Sequence, residues 1–174
     1  MSADLHCHTR LSNGSLGIED LISLAKKRNI SSIAITDLDC LAGTVRGKII
    51  GERAGVRVIP GVELSATDKT NNQEIHLICY LPDFPDRLEG LCSRNSQLRK
   101  RSSHFMMLKV AQRYPVTPEF ITKCASGSTN VYKVHIMQAL IECGYTNSFN
   151  GELYKKLFTK ESEDNILVVP KYEE

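Results

Sequence analysis

Asp4-Leu5-His6-Cys7-His8, close to the amino terminus, alternates in the manner of a β-strand that presents polar groups on one face. Side chains of a strand alternate between its two faces, so Asp4, His6 and His8 are expected to point one way. Two imidazoles at this spacing can bind one divalent cation, and the nearby carboxylate can orient a ring or join the ligands. The alternative is a short buried strand whose histidines hydrogen-bond to the backbone.

The composition is that of an ordinary globular protein and singles out no class of partner. Hydrophobic residues make up 41% of the 174 residues and charged residues 24%, both within the range of folded domains. A net charge of +2 indicates no global attraction to nucleic acid. Six cysteines without a Cys-x-x-Cys pair disfavour a structural zinc knuckle. The chain shows neither a leader pattern nor a membrane-length apolar run, which predicts a cytoplasmic protein without membrane contact.

The first half alternates short apolar runs with helical periodicity. Strands are predicted at residues 3–8, 32–36, 56–60, 62–67 and 74–81, and helices at residues 18–29 and 43–55. This alternation predicts an α/β fold with a parallel sheet, in which the chemistry lies at the carboxyl ends of the strands.

The second half has a helical pattern from about residue 88 to 158. Leu98, Phe105, Leu108 and Ala111 are predicted to share one apolar face of its first helix. A later helix is predicted from Asn130, a good N-cap, to Gly144, and a further strand at residues 166–169. We therefore predict three segments, which are an α/β segment over residues 1–84, a helical insertion over 85–160 and a return to the α/β segment over 161–174.

Candidate metal ligands occur in four groups at or near the predicted strand ends, namely Asp4/His6/His8, Asp37/Asp39, Glu63 and His76. The ends of neighbouring parallel strands converge, so scattered positions can build one site. Carboxylate oxygens with imidazole nitrogens suit zinc, manganese or iron, and clustered divalent ions suit phosphoester hydrolysis. Each group also has a plainer interpretation, as helix caps, an ordinary strand-end acid or a core histidine.

Taken together, these segments resemble the polymerase and histidinol phosphatase (PHP) domain family. The matching pieces are Asp4-Leu5-His6-Cys7-His8-Thr9, Ser12-Asn13-Gly14, Thr36-Asp37-Leu38-Asp39, Gly61-Val62-Glu63-Leu64-Ser65 and Glu74-Ile75-His76-Leu77. The helical segment is similar to the branch that hydrolyses nucleoside 3′,5′-bisphosphates and short oligoribonucleotides. That similarity rests on Lys133-Val134-His135 and Leu140-Ile141-Glu142-Cys143-Gly144-Tyr145.

The resemblance implies the first half of a distorted (β/α)₇ PHP barrel with an α-helical insertion, holding up to three divalent ions such as Mn²⁺, Zn²⁺ or Fe²⁺. It implies a phosphoesterase that hydrolyses small nucleotides or short oligonucleotides with metal-activated hydroxide. The implied metal ligands are His6, His8, Glu63 and His76, with Glu63 bridging two ions. We assign catalytic roles to Asp37 and Glu63, and supporting roles behind the ligands to Asp4 and Asp39.

Two substitutions depart from the family pattern. Asn13 stands where the family usually has Asp, and Leu38 stands where it has His. Asn offers a neutral carbonyl oxygen and Leu offers no donor, so fewer ions are expected here. The alternative function is a degenerate or truncated PHP protein without catalysis that binds nucleotide, RNA or a protein partner.

Family barrels continue beyond the point at which this chain stops. We therefore expect one of two explanations. The chain is a piece of a longer protein, for example the product of an interrupted or decayed gene, or it is a half barrel that a second chain covers. A half barrel would otherwise leave open sheet edges and one uncovered face.

A basic stretch runs from residue 91 to 118, where no acidic residue occurs. One interpretation is a solvated helix face. The other is a surface that attracts phosphate, in which Arg99 and Arg101 bind phosphate bidentately. Lys133 and His135 match positions that face substrate in the family. We therefore predict a phosphate-binding set comprising Arg99, Arg101, Lys133 and His135.

Overall fold

The computed structural model describes residues 2–71 and 73–172 and has a mixed α/β fold. Its elements in chain order are β1 Ala3–Cys7, α1 Ile18–Lys27, β2 Ser32–Ile35, α2 Thr44–Ala54, β3 Arg57–Asp68, β4 Gln73–Tyr80, α3 Pro85–Arg113, α4 Pro118–Cys124, α5 Lys133–Glu142 and α6 Glu152–Phe158. Among the described residues, no helix combines the length and the apolar character that crossing a bilayer requires.

The described strands form one sheet in the order β1-β2-β3-β4. The first three strands are parallel, but β4 is antiparallel to β3. The prediction of a wholly parallel sheet is therefore wrong at β4. A parallel pair requires a crossover of a dozen or more residues, whereas the turn after Asp68 is far too short for one.

The strands predicted at residues 56–60 and 62–67 are one continuous strand, β3. Its first four residues pair with β2, as far as the pair Ile35 and Pro60. From Gly61 onward it pairs with β4 instead. The chain therefore passes from the parallel to the antiparallel part of the sheet without a break. Glu63 lies just after the point at which β3 changes its partner strand.

Two helices cover the sheet. On α1, Ile18, Ile22 and Ala25 are buried against strand residues such as Ile33 and Val58. The other helix, α2, approaches β3 through glycine. A Cβ atom at Gly51 would lie 2.6 Å from the Val56 carbonyl oxygen, so the helix can sit this close only without a side chain there.

The chain divides into two compact units. The first comprises the described residues up to Ser96 together with Lys171 and Tyr172, and the second comprises Gln97–Pro170. The second unit has its own apolar core, whose fully buried members are Val110, Ile121, Ile136, Met137, Ala139, Leu140, Leu157 and Ile166. The segment boundaries predicted from sequence, after residues 84 and 160, stay a prediction.

In the second unit, the apolar face predicted from the sequence is not the buried face of α3. Phe105 is 57% exposed and Leu108 40% exposed, whereas Met106, Met107 and Val110 are buried. Apolar residues occupy nearly every position from 105 to 110, so their spacing selects no single face.

Two further sequence predictions about the second unit are wrong. The helix α5 begins at Lys133 after the N-cap Tyr132, so Asn130 is not its cap. Residues 166–169 lie in no strand. Instead the Ile166 N–H donates to the Leu157 carbonyl at 2.8 Å, and the Ile166 side chain is buried in the helical core. Packing against helices therefore replaces strand pairing for this apolar run.

Candidate metal centre

The buried carboxylate of Glu63 lies among three imidazoles. Its Oε2 is 2.9 Å from Nε2 of His6 and 2.9 Å from Nε2 of His8. Its Oε1 is 2.7 Å from Nδ1 of His76. The residue is 5% exposed. The two oxygens of one carboxylate therefore face different histidines, which is the arrangement that a bridging ligand requires.

Three strands deliver these side chains. His6 belongs to β1 and His8 directly follows it, while Glu63 lies on β3. On β4, His76 pairs with Ser65, two residues beyond Glu63 on the same face. His76 and Glu63 are therefore diagonal neighbours across an antiparallel pair, which long side chains can bridge.

The described donor atoms fit a divalent ion. The ligand atoms of His6, His8 and Glu63 all lie within 4.8 Å of one another, and the two Nε2 atoms are 3.2 Å apart. Ligand atoms around tetrahedral zinc are separated by roughly 3.3 Å, given Zn–N and Zn–O bonds of about 2.0–2.1 Å. Two imidazoles and a carboxylate are also a common donor set for zinc, manganese and iron.

The charges of the centre follow from these contacts. Burial alone would raise the pKa of Glu63, but hydrogen bonds from His76, His8 and His6 outweigh it and hold the pKa well below its ordinary value. The contact with Glu63, followed by that with Glu74, raises the pKa of His76 to about 9. At neutral pH the Glu63 carboxylate is therefore ionised, and the His76 ring is protonated on both nitrogens and positively charged.

Asp37 holds the loop that carries His8. It is 1% exposed, and its carboxylate accepts the Thr9 N–H at 2.7 Å and the Thr9 hydroxyl at 2.6 Å. The Ser12 hydroxyl donates to the same carboxylate at 2.6 Å and lies 3.5 Å from Nδ1 of His8. Gly14 closes this loop, because a Cβ there would collide with the His8 carbonyl. The catalytic role of Asp37 stays a prediction.

Asp39 braces β3 just beyond Glu63. Its carboxylate accepts the Ser65 N–H at 3.0 Å, the Ser65 hydroxyl at 2.8 Å and the Asn95 side-chain amide at 2.8 Å. Its backbone is left-handed, with φ of 50°, a conformation that Asp tolerates better than most residues. These contacts fix the strand that bears Glu63, and the supporting role of Asp39 stays a prediction.

Asp4 contacts the backbone of its neighbour. Its Oδ1 accepts the His6 N–H at 3.3 Å, which is a bond to the main chain and not to a ring. A bulge between Asp4 and Cys7 shifts the pairing of β1 with β2 and interrupts the simple two-residue alternation. The proposal that Asp4 supports the ligands stays a prediction.

The sequence analysis quoted Glu74 within a matching segment but assigned it no role in the site. Its Oε1 lies 3.4 Å from Nε2 of His76, the ring nitrogen that faces away from Glu63. A signal was present, because Glu74-Ile75-His76 repeats the two-residue spacing of His6-Cys7-His8 and so places both side chains on one face of a strand.

With this geometry in place, the sequence can be compared with known families. The profile of the PHP domain matches residues 4–168. The chain belongs to the PHP domain family.

Relatives of this PHP domain have named activities on phosphate esters. The phosphoribosyl 1,2-cyclic phosphate 1,2-diphosphodiesterase of Eggerthella lenta is 31% identical over 91% of this chain and 61% of its own length. The 5′-3′ exoribonuclease Rnm of Escherichia coli is 29% identical over 90% of this chain and 54% of its own length. A 3′,5′-nucleoside bisphosphate phosphatase of Chromobacterium violaceum is 36% identical over 37% of this chain and 22% of its own length. The chain thus spans at most about three fifths of these relatives.

Solved structures share the fold. A predicted metal-dependent phosphoesterase from Bifidobacterium adolescentis superposes with a TM-score of 0.85 at 21% identity, covering 99% of this chain and 60% of that one. An amidohydrolase from Chromobacterium violaceum with bound sulfate and no metal gives 0.86 at 20% identity, with the same coverage. At these identities the likeness concerns the fold alone.

The two departures of this PHP domain from the family pattern have different surroundings. Leu38 is 4% exposed, and its backbone forms a bridge with Glu63. Asn13 is exposed, and its Oδ1 lies 3.2 Å from the Ser12 hydroxyl oxygen. Leu38 therefore contributes packing next to the centre and no donor, and Asn13 contributes a neutral oxygen at its loop.

The predicted phosphate-binding residues lie in the second unit. The Arg99 guanidinium sits over the Tyr132 ring at 5.2 Å, and the Lys133 ammonium over the Phe158 ring at 5.8 Å. Arg101 is exposed. The buried His135 ring accepts the Tyr132 N–H at Nδ1, 3.1 Å away, and burial lowers its pKa. Its phosphate-binding role, like those of the other three, stays a prediction.

Proposed function

We propose that this chain provides the metal centre of a metal-dependent phosphoesterase acting on small nucleotides or short oligonucleotides. The observation that carries the proposal is the Glu63 carboxylate, whose two oxygens face the rings of His6, His8 and His76 at 2.7–2.9 Å. The named activities of the relatives support it, since a cyclic phosphodiesterase, an exoribonuclease and a bisphosphate phosphatase all cleave phosphate esters.

Each residue has a distinct part in this proposal. His6, His8 and Glu63 hold one ion, and Glu63 with His76 holds a second. Divalent ions such as Mn²⁺, Zn²⁺ or Fe²⁺ lower the pKa of water and offset negative charge on phosphoryl oxygens. Asp37 keeps the His8 loop in position through the hydroxyls of Thr9 and Ser12.

Substrate phosphate is assigned to the basic residues of the second unit. Arg99 and Arg101 provide planar guanidinium groups suited to bidentate binding of phosphate. Lys133 adds a point charge, and His135 orders the start of α5 beside it. In this proposal residues 85–160 form a helical insertion, a second chain or segment covers the open sheet edges at β1 and β4, and the protein is cytoplasmic.

The test is phosphate release by the purified 174-residue chain supplied with Mn²⁺. The substrates are adenosine 3′,5′-bisphosphate and a short oligoribonucleotide. The wild-type chain is expected to hydrolyse at least one of them, and His6→Ala is expected to lose at least about 100-fold in rate, because a ligand matters no less than its supporting partners. His104→Ala is the matched control, since His104 is exposed on α3. Activity that survives His6→Ala excludes this centre as its source.

A second candidate function is a PHP protein without catalysis that binds nucleotide, RNA or a protein partner. The apolar side chain of Leu38 beside Glu63 favours it, because it leaves a family ligand position without a donor. Elemental analysis of the purified chain separates the two functions. Fewer than one tightly bound transition metal ion per chain, with nucleotide binding retained, supports the second.

A further inference from the structure

The two nitrogens of the His76 ring face two different carboxylates. Nδ1 lies 2.7 Å from Oε1 of Glu63, on the side of the other histidines. Nε2 lies 3.4 Å from Oε1 of Glu74. Glu74 precedes His76 by two residues on β4, so both side chains extend from the same face of the strand.

This arrangement bears on which nitrogen can bind a cation. A neutral imidazole carries its proton on one nitrogen and a lone pair on the other. A carboxylate that accepts the proton of the far nitrogen fixes the tautomer, orients the ring and makes the near nitrogen a stronger ligand. In His76 the near nitrogen is Nδ1 and the far nitrogen is Nε2.

We propose that Glu74 is a positioning residue that holds the Nε2–H of His76 and thereby presents Nδ1 to a cation at Glu63. The inference rests on the proposed metal-dependent function, in which Glu74 itself binds no ion. It assigns to Glu74 a role in metal affinity, whereas the sequence analysis quoted Glu74 only within a matching segment and did not count it among the four implied ligands.

The far nitrogens of His8 and His76 have different partners, and this difference supports a specific role for Glu74. The far nitrogen of His8, Nδ1, lies 3.5 Å from the neutral hydroxyl of Ser12. The far nitrogen of His76 faces a carboxylate whose side chain is 25% exposed and therefore largely shielded from water. A charged, partly buried acceptor polarises the ring more than a hydroxyl does, so Glu74 is expected to strengthen His76 as a ligand.

The experiment measures zinc binding without substrate. Dissociation constants are obtained by competition with a chelating dye for the wild type, Glu74→Ala, Glu74→Gln and the control Glu52→Gln, which removes an exposed acid from α2. His76→Ala is measured as well. The zinc ion that this variant no longer binds identifies the dissociation constant that is compared among the other variants. Glu74→Ala is expected to weaken that constant by about 10–100-fold. Glu74→Gln is expected to weaken it less, because its amide oxygen still accepts a hydrogen bond, and Glu52→Gln is expected to match the wild type.

A second readout reports the tautomer directly. Nitrogen-15 NMR of the zinc-loaded wild type is expected to show the His76 proton on Nε2, and Glu74→Ala is expected to change the Nε2 shift. Because Glu74→Gln preserves size and an acceptor, its spectrum decides the matter even if Glu74→Ala folds poorly. An unchanged His76 signal and wild-type affinity in both variants overturns the proposal. Zinc affinity that depends on Glu74 in a chain without phosphate release overturns the proposed function and leaves this inference standing.

Discussion

Glu63 illustrates how a single buried charge is kept in this fold. Moving an ionised carboxylate out of water is costly unless hydrogen bonds or opposite charges compensate for it. Here three imidazoles surround the two oxygens at 2.7–2.9 Å. In the metal-free chain hydrogen bonds from the rings provide the compensation, and in the loaded chain cations are proposed to take over that role. The same set of contacts thus accounts for stability in one state and for ligand placement in the other.

The first residue-scale prediction concerns the proton on His76. In the metal-free chain its pKa is expected at about 9, because Glu63 and then Glu74 stabilise the charged ring. The unfolded value is about 6.5, so the stabilisation is fully present below pH 6.5 and is lost as pH rises through 9. NMR titration in the presence of a chelator measures this pKa, with the urea-unfolded chain as reference. A folded value near 6.5 contradicts the prediction.

A related residue-scale prediction concerns the pH dependence of metal affinity. A cation at Nδ1 of His76 must displace a proton, so zinc affinity is expected to rise with pH until about 9. Dye competition at several pH values measures the slope. The slope is expected to be smaller in His76→Ala, which has no such proton to release, and equal slopes in the two chains contradict the prediction.

At this scale the sequence indicated the residues of the centre better than the contacts among them. His6, His8, Glu63 and His76 were all expected near one another, and the structure brings them together. The contacts of Asp37 were not foreseen, because a carboxylate beside a metal motif looks the same in sequence whether it faces the cations or a loop. The distinction depends on Thr9 and Ser12, whose hydroxyls reach Asp37 only in three dimensions.

At the scale of elements, the glycines of α2 set how closely this helix packs on the sheet. Gly51→Ala is expected to destabilise the chain by about 1–3 kcal/mol, because the added methyl meets Val58 and the Val56 carbonyl. Gly90→Ala, on α3, is the control, since its methyl meets only the end of the Arg94 side chain at 3.6 Å. That change is expected to stabilise the chain by up to about 1 kcal/mol. Urea denaturation measures both, and equal effects contradict the packing argument.

The sequence predicted most elements of the first half, but it did not predict the direction of β4. Alternation of apolar residues identifies a strand without revealing whether it runs parallel or antiparallel to its neighbour. The length of the connection does carry that information, because the few residues after Asp68 exclude a crossover helix. In the second half, the apolar residues at nearly every position from 105 to 110 concealed the buried face of α3, which tertiary packing then determines.

At the scale of the whole molecule, each unit has its own apolar core. Leu140→Ala, at a fully buried position of the second core, is expected to cost about 2–5 kcal/mol. Leu108→Ala is the control, because Leu108 is 40% exposed, and a change within about 0.5 kcal/mol is expected. Zinc affinity is expected to match the wild type in both folded variants, because the ligands lie in the first unit. A tenfold weaker zinc affinity in Leu140→Ala contradicts the prediction that zinc binding depends on the first unit alone.

The pairing of β3 with β4 places Ser65 opposite His76 and thereby turns His76 toward Glu63. Successive side chains of a strand point to opposite faces, so a slip of one residue would bring Ile75 or Leu77 to that face instead. Such a chain would keep its secondary structure and much of its core while lacking a ligand. The register of this hairpin therefore decides whether a folded chain also has the His76 ligand. A chain with a shifted register could be folded and still be inactive. Insertion or deletion of a single residue between β3 and β4 is therefore expected to be harmful, because it can shift this register.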